Sequence, residues 1–257
     1  MLRYIVLLTV VGSVLLSSFS VAQAAKKPLE PPLELLVPIV DKAPVVDGLL
    51  SPGEYDEATR VRGYMTIKGL QLQPGSTLDA PTYILNAKDH IYIAVQWSIA
   101  DQKVLKAERK KHDSDLWMDD SIEVFLRSPD EMTNKKIWYQ FVGNSLGFLL
   151  DSKSQGKSWN CNYKYKCTVV NGIWTAELSI PLAELREGPL EPGETWRINV
   201  ARNKQSPLFN WLHLAASDMY HYPFKEFFLP VVNPGISLLK LSALTVRAKN
   251  WANPANG

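Results

Sequence analysis

The amino-acid sequence predicts an all-β domain, built as a two-sheet antiparallel β-sandwich with short helical turns. Short apolar runs, several of them alternating with polar residues, recur along the chain and are separated by turn signals. The chain contains 17 prolines and 14 glycines, and 46% of its residues are hydrophobic. Helix signals are few and short. Antiparallel strands in this number usually close into two packed sheets whose inner faces form one core.

The predicted strands follow the apolar runs. They cover residues 33–40, 59–65, 82–86, 90–97, 121–127, 137–144, 148–151, 163–171, 173–180, 195–203 and 226–232. Asn171-Gly172 is the clearest hairpin signal, because both residues tolerate positive φ and alternating runs flank them. Single helical turns are predicted at residues 51–54, where serine, proline and glycine precede Glu54, and from Pro181 to Leu185.

The first residues are typical of a secretory signal. Arg3 precedes an apolar run that reaches about Leu16, and Ala22-Gln23-Ala24 supplies a small-residue cleavage site. We therefore expect residues 1–24 to be a signal peptide and 25–38 a proline-rich spacer, followed by the sandwich domain at 39–232 and a tail at 233–257. The predicted location is secreted or periplasmic, without a membrane association after signal cleavage.

The charge balance argues against nucleic acid as a partner. The formal charge of +2 falls to +1 when Arg3 leaves with the signal, and acidic residues are interspersed with Lys and Arg throughout. A duplex-binding protein would carry a basic excess on one face. The one compact basic run, residues 106–111, includes Glu108 and is interpreted as a solvated loop or helix face.

The two cysteines, Cys161 and Cys167, suit an oxidising compartment. A disulfide between them is predicted if the intervening residues form a turn. If those residues run extended, the two Cα atoms lie well beyond the ~7 Å limit for a bridge. A two-cysteine metal site lacks the further ligands that zinc would need nearby.

The segment from Trp117 to Asn144 carries the main functional signal. Alternation in residues 121–126 buries Ile122, Val124 and Leu126 and turns Glu123 to the other face. In the next run Gln140 and Asn144 share one face, and Trp117 stands just before the first strand. A flat apolar ring with a few oriented polar groups suits a sugar. The alternative for Glu123 is a structural carboxylate paired with an arginine.

Four motifs together resemble the family 9 carbohydrate-binding modules. They lie at residues 44–48 with Glu54-Tyr55, at 92–95, at 117–125 and at 174–181, in the family's order and spacing. The resemblance implies a DOMON-type β-sandwich of the immunoglobulin-like or jelly-roll kind. It also implies non-catalytic glycan binding, with a possible glycoside hydrolase that the protein assists in polysaccharide breakdown. A further alternative is that the protein is an accessory subunit associated with a glycoside hydrolase.

The resemblance also assigns site residues. It implies that Trp117 and Tyr220 clamp the end of a glycan between two rings, and that polar contacts come from Glu123, Asn144, Asn199 and Asn203. Trp159, which lies in a loop with Asp151 and Asn160, is a further predicted contact. Val142 and Ala201 stand where sugar-binding members have arginine and glutamine. Losing the arginine contact alone could lower affinity by about tenfold.

Direct catalysis is not signalled. A glycosidase needs two carboxylates that face one another across ~5 to 9.5 Å, whereas Asp119, Asp120 and Glu123 cluster at one strand entrance. No Gly-x-Ser-x-Gly elbow is present, and the four histidines follow no triad or metal spacing. We therefore expect a binding protein and no enzyme.

Haem binding is the second hypothesis, because some sandwiches that resemble this chain hold haem b. The available axial ligands are Met65, Met118, Met219, His213 and His221, and no Cys-x-x-Cys-His motif is present for covalent attachment. As a cofactor, structural calcium is also possible, since carboxylates of the right hardness occur at Asp47, Glu54, Asp119 and Asp120.

Overall fold

A computed structural model describes residues 35–62, 64–66, 81–99, 105–131, 137–187, 194–205, 210–213 and 229–232. The chain divides into two compact units, Met1–Pro31 and Pro32–Gly257, and every described residue belongs to the second. Within these ranges, no helix has the length and apolar character required to cross a membrane.

The described residues form strands in two sheets. The strands are β1 (Leu35–Leu36), β2 (Ile39–Val40), β3 (Thr59–Val61), β4 (Met65–Thr66), β5 (Thr82–Ala87), β6 (His90–Ser98), β7 (Ser121–Arg127), β8 (Tyr139–Asn144), β9 (Leu149–Lys153), β10 (Lys164–Val170), β11 (Ile173–Pro181), β12 (Thr195–Lys204), β13 (Asn210–His213) and β14 (Leu229–Val232). Helical structure in these ranges is limited to single 3-10 turns at Leu116–Met118, Pro129–Glu131 and Leu182–Glu184. The predicted all-β class with short helical turns is therefore confirmed.

The larger sheet has the order β1-β14-β12-β7-β8-β9, with β13 pairing to β12 and β4 pairing to β13. The smaller sheet has the order β10-β11-β6-β5-β2, and β3 also pairs with β5. Neighbouring strands are antiparallel except in two pairs, β1 with β14 and β2 with β5. The predicted two-sheet antiparallel architecture is thus correct apart from these two short parallel pairs.

The core lies between the two sheets. From the larger sheet it receives Ile122, Val124 and Leu126, the three residues that the alternation predicts, together with Tyr139 and Phe141 of the next strand. From the smaller sheet, Trp97 and Trp174 meet edge to face, with ring centroids 5.2 Å apart. All these side chains are at most 3% exposed. The opposite face of β7 and β8 therefore points away from the smaller sheet; we call it the outer face.

The first family motif is held against the smaller sheet by one buried carboxylate. Glu177 of β11 accepts hydrogen bonds from the backbone N–H groups of Asp47 (3.1 Å) and Gly48 (2.7 Å) and from the Tyr55 hydroxyl (2.9 Å). Gly48 has φ = +93°, and a Cβ atom there would lie 2.9 Å from the backbone of Cys167. Glycine is therefore required, since this segment both turns and approaches a strand closely.

Turn signals in the sequence are matched by the backbone. Asn171 and Gly172 have φ = +51° and +74° and join β10 to β11, as the hairpin prediction requires. Leu185 N–H donates to Leu182 O (3.0 Å) in the turn predicted after Pro181. In the other predicted turn, Glu54 N–H donates to Ser51 O (3.1 Å).

The structure departs from the predicted strands at a few places. The run at 33–40 forms two short strands, β1 and β2, separated by Val37 and Pro38, and they join different sheets. Since β1 falls within residues 25–38, the sheet begins inside the segment predicted as spacer. Strand β13 was not predicted, because its four residues give too short a pattern to separate from a loop.

The predicted disulfide is absent from the structure. Cys161 and Cys167 are both free and half-buried, and both pack against the core. Residues from Lys164 onward run extended as β10, in which Cys167 pairs with Ala176 of β11. The extended alternative for the intervening residues therefore applies, and such a backbone carries the two sulfur atoms apart.

Candidate functional site

Strand register assembles the outer face of the larger sheet. Glu123 of β7 lies directly between Val142 of β8 and Ala201 of β12. Phe125, one step along the same face, lies between Gln140 and Asn199. Because residues opposite one another in antiparallel strands point to the same side, these side chains form two adjacent rows.

Glu123 and Gln140 form the polar centre of this face. The amide nitrogen of Gln140 donates to Glu123 Oε1 (3.2 Å), and the Gln140 amide oxygen accepts from the Ser152 hydroxyl (3.1 Å). Glu123 is only 4% exposed, whereas Gln140 is half-buried. The sequence prediction that Glu123 points away from the core is met, and its carboxylate is oriented by a neighbouring amide.

An apolar cluster lies beside this polar centre. Val142 and Leu150 are cross-strand partners on the outer face, and Leu116 covers them; all three are completely buried. Trp117 and Phe148 pack on this cluster at its exposed side. Val142, at the position where the resemblance predicts an arginine, is therefore part of a small core of its own.

Trp117 is half-buried at the rim of the outer face. It lies in the 3-10 turn Leu116–Met118, and its backbone oxygen accepts a hydrogen bond from the Gln205 side chain (3.0 Å). The ammonium group of Lys157 lies 4.7 Å from the centre of the indole ring. Lys157 is itself held by Asp115 Oδ1 (2.7 Å) and Asp113 O (3.0 Å), so one face of the indole carries a cation.

The Asn144 amide is engaged entirely within the protein. Its nitrogen donates to Arg109 O (2.9 Å) and Asp119 Oδ2 (3.0 Å), and its oxygen accepts from the N–H groups of Leu146 (3.2 Å) and Phe148 (3.0 Å). These four bonds use the full capacity of an amide side chain. Asn144 thus ties the β8–β9 turn to the loop that carries Trp117.

Asp119 is the charged centre of that loop. Its carboxylate accepts from the Arg109 guanidinium (2.9 Å) and backbone N–H (3.0 Å) as well as from Asn144. Burial by itself raises the pKa of the Asp119 carboxyl, but these hydrogen bonds outweigh burial and hold the pKa below its ordinary value of 3.8. Arg109 was not predicted as part of this network, because the basic run 106–111 was interpreted as a solvated face.

The two asparagines predicted on β12 lie on the same face as Glu123. Asn203 pairs with Ser121 in register and donates to its hydroxyl (2.9 Å). Asn199 is the partner of Phe125. Both asparagines are nearly buried, at 3% and 2% exposed.

Solved structures share this arrangement of sheets. A candidate carbohydrate-binding protein from Bacteroides uniformis ATCC 8492 superposes with a TM-score of 0.58 at 13% identity, over 78% of this chain and 99% of that one. A family 9 carbohydrate-binding module from Caldicellulosiruptor kristjanssonii in complex with cellotriose gives 0.57 at 14% identity, over 79% and 95% of the two chains. The fold is that of a family 9 carbohydrate-binding module.

A second structure of a family 9 module from Caldicellulosiruptor kristjanssonii, in complex with glucose, gives the same TM-score of 0.57 at 13% identity, over 79% of this chain and 97% of that one. The sequence matches no protein-family model and no curated protein. The resemblance to family 9 modules is therefore confirmed for the fold.

One of the predicted family 9 contacts, Trp159, lies away from the outer face. Trp159 packs against Tyr139 and Phe141, with ring centroids 5.0 and 6.1 Å away, and these rings belong to the core between the sheets. Trp159 therefore contacts the core-facing side of β8, whereas Gln140 lies on the outer face. Tyr220 falls outside the described residues, so the predicted ring pair of Trp117 and Tyr220 stays a prediction.

The residues predicted to bind haem or calcium lie in different parts of the structure, and some lie outside the described residues. Met118 is exposed, and its sulfur accepts from the Arg109 guanidinium (3.2 Å). Met65 and His213 are register partners in β4 and β13, while Met219 and His221 lie outside the described residues. The carboxylates of Asp47, Glu54, Asp119 and Asp120 all accept backbone N–H bonds, so the calcium assignment stays a prediction.

Proposed function

We propose that this protein binds a saccharide non-catalytically on the outer face of the larger sheet, at the rim that Trp117 forms. The observation that carries the proposal is that the half-buried Trp117 indole packs on the cluster containing Val142, the register partner of Glu123. The buried Glu123 carboxylate is in turn hydrogen-bonded to the half-buried Gln140 amide. The fold relation supports the proposal, because the two structures from Caldicellulosiruptor kristjanssonii hold cellotriose and glucose.

Each group supplies a different part of sugar recognition. The indole presents flat apolar area to the C–H face of a pyranose ring. Glu123 accepts from sugar hydroxyls, and Gln140, which is more exposed, can both donate and accept. Their mutual hydrogen bond holds both groups in position before a ligand arrives, which lowers the ordering cost of binding.

Asn144 is not among the proposed sugar contacts. A contact from its amide to a sugar would require one of its four internal hydrogen bonds to be broken. We assign it instead to holding the Trp117 loop against the sheet. Asn199 and Asn203 remain proposed contacts at the β12 side, and Tyr220 remains the proposed second ring.

Weak affinity is expected from the composition of this face. Val142 and Ala201 flank Glu123 in register and donate no hydrogen bonds from their side chains. Lys157 also occupies one side of the indole, so a sugar must use the other side or displace the ammonium group. Each missing charge-assisted hydrogen bond lowers the binding free energy by about 1.5–3 kcal/mol.

The residues next to Glu123 also support binding without catalysis. Hydrolysis of a glycoside needs a second carboxyl group about 5–9.5 Å away, across the scissile bond. In the described part of this face, the flanking positions are occupied by valine and alanine.

We propose further that the protein is exported by the signal at residues 1–24, and that it assists a glycoside hydrolase.

The test is isothermal titration with glucose, cellobiose, cellotriose and xylo-oligosaccharides. Trp117→Ala and Glu123→Gln are each expected to weaken binding at least tenfold, about 1.4 kcal/mol. Tyr83→Ala is the matched control, because Tyr83 is also half-buried beneath a cation, Arg60 at 5.2 Å, but lies on the smaller sheet. Absence of heat from the unaltered protein across the panel, or equal affinity of Trp117→Ala, would reject the proposal.

A further inference from the structure

Three side chains meet beside β9, although the sequence gives no metal-site spacing for them. His112 and Asp113 lie in the loop before the Trp117 turn, and Asp151 lies in β9. One ligand atom from each of the three residues lies within 4.8 Å of the other two. Among the described residues, this is the group of His, Cys, Asp and Glu side chains that is compact enough to hold a metal ion.

The backbone fixes these residues before any ligand binds. Asp113 has φ = +59°, and its N–H group donates to Leu149 O (3.1 Å), which joins the loop to the start of β9. Lys157 donates to Asp113 O (3.0 Å) from the other side. Asp151 Oδ2 accepts from the Cys161 N–H group (2.6 Å). The two carboxylates therefore lie on segments that are fixed by hydrogen bonds to the rest of the protein.

The distances to two carboxylates assign a role to each ring nitrogen of His112. Nδ1 lies 2.9 Å from Asp113 Oδ2, so in the neutral ring we place the proton on Nδ1. The lone pair of Nε2 then faces Asp151 Oδ1 at 3.4 Å. A carboxylate that orients a histidine through Nδ1 is the usual arrangement behind a metal-binding Nε2 atom.

Asp151 supplies an independent sign that this arrangement takes a ligand. Its side chain is completely buried, and its Oδ1 atom has no hydrogen-bond partner. Two lone pairs facing one another across 3.4 Å require a positive centre between them. Since an unsatisfied buried carboxylate oxygen is costly, a proton or a metal cation is expected there.

The distance of 3.4 Å between His112 Nε2 and Asp151 Oδ1 fits two ligand atoms of one metal ion. Zinc binds histidine nitrogen and carboxylate oxygen at about 2.0–2.2 Å with tetrahedral angles, which places two such ligand atoms about 3.4 Å apart. A mixed set of imidazole and carboxylate ligands suits zinc-like divalent ions, whereas calcium and magnesium prefer oxygen alone. His112 is 49% exposed, so an ion can enter from solvent, and water can fill the open positions.

We propose that His112, Asp113 and Asp151 form a binding site for a divalent transition-metal cation of the zinc class. His112 Nε2 and Asp151 Oδ1 are the direct ligands, and Asp113 orients the imidazole ring. The site lies outside the sugar-contact residues. The ion would join the loop that leads to Trp117 to strand β9.

The experiment is a titration of the chelator-treated, full-length protein with Zn²⁺ in equilibrium dialysis. One Zn²⁺ ion per chain is expected, and His112→Ala is expected to weaken binding at least thirtyfold. Asp151→Asn, which keeps the side-chain shape in its buried position, is expected to act in the same direction. Zn²⁺ is also expected to raise the Tm of the unaltered protein by several degrees and to leave that of His112→Ala unchanged.

The control is the His90–Asp89 pair, whose Nδ1 and Oδ1 atoms lie 2.7 Å apart but which, among the residues that the structure describes, has no second carboxylate in its group. His90→Ala is expected to bind Zn²⁺ like the unaltered protein. No stoichiometric Zn²⁺ in the unaltered protein, or equal affinity in His112→Ala, would overturn the proposal and leave a histidine–aspartate ion pair. Circular dichroism of each variant separates loss of the site from loss of the fold.

Discussion

Polar residues on the outer face can either be open to a ligand or hold the structure together, and a sequence motif does not distinguish these two roles. Glu123 and Asn144 belong to the same predicted set, yet Glu123 has an amide neighbour at 3.2 Å, while the Asn144 amide is saturated by the loop around it. Both are buried polar residues on paired strands. The hydrogen bonds of the Asn144 amide, which depend on loops distant in sequence, identify Asn144 as a structural residue.

Asp119 gives a test of this structural network. Asp119→Asn is expected to lower the free energy of unfolding at pH 7 by about 2 kcal/mol, because an amide cannot accept all the bonds from Arg109 and Asn144. The folded pKa is depressed, so the stabilisation by the carboxylate is present above 3.8 and is lost as pH falls through the folded value.

The difference in the free energy of unfolding between the unaltered protein and Asp119→Asn is therefore expected to decrease as the pH is lowered. Urea unfolding at pH 7 and at successively lower pH measures it. Asp56→Asn is the control: Asp56 is exposed, and a change of less than about 0.5 kcal/mol is expected. A pH-independent difference for Asp119→Asn would contradict the assigned role of its charge.

At the scale of the elements, alternation predicts strands well where one face is apolar and continuous. The run 121–127 is predicted with the bounds that β7 has, and the predicted alternation of β7 correctly separates the core residues from Glu123. The prediction fails where strands are very short. Pro38 interrupts the run 33–40, and the four residues of β13 are too few to show a period.

Gly143 shows a contact between sheets that no local pattern reveals. A Cβ atom at this position in β8 would lie 2.4 Å from the Tyr165 ring, which reaches across from β10 and donates to Asn144 O (2.9 Å). Gly143→Ala is therefore expected to cost about 3 kcal/mol or more, because the ring has no room to move in a packed core.

Urea unfolding of Gly143→Ala, alone and combined with Tyr165→Leu, checks this contact. The double variant is expected to be more stable than the sum of the two single effects predicts, since removing the ring removes the clash. Gly172→Ala provides the comparison: its Cβ atom meets nothing within 4 Å, so only the positive φ of +74° opposes it, at about 1 kcal/mol. Additive effects at 143 and 165 would argue against the clash.

At the scale of the molecule, the sequence is sufficient for the fold class and for the division of β7 into core residues and outer-face residues. It was insufficient for the loops that surround this face. Lys157 lies over Trp117, and His112 lies beside Asp151, through contacts between residues about 40 positions apart. Trp159 packs with the core for the same reason, because a loop residue takes its position from the structure around it.

The ends of the domain give a further prediction. Leu35, Leu36 and Val37 are 7%, 8% and 0% exposed, and β1 pairs with β14. A chain that begins at Ile39, the predicted start of the domain, is expected to be at least 4 kcal/mol less stable than one that begins at Pro32. Burial of each such side chain contributes about 1.5–3 kcal/mol.

Urea unfolding of the two shortened chains measures this difference directly. A third chain that begins at Pro32 with Ile39→Ala serves as control, because Ile39 is 49% exposed and its loss is expected to have a small effect. Equal stability of the chains that begin at Pro32 and Ile39 would show that β1 is dispensable.

The parallel pairing of β1 with β14 also has a mechanical consequence. Leu35 lies opposite Val231 and Leu36 opposite Val232, so the chain enters β1 at one end of this edge and leaves β14 at the other. Pulling on the two ends would slide the strands past each other and load their hydrogen bonds together instead of unzipping them singly. A protein tethered at one end while its other end bears a load would thus meet that force in its more resistant direction.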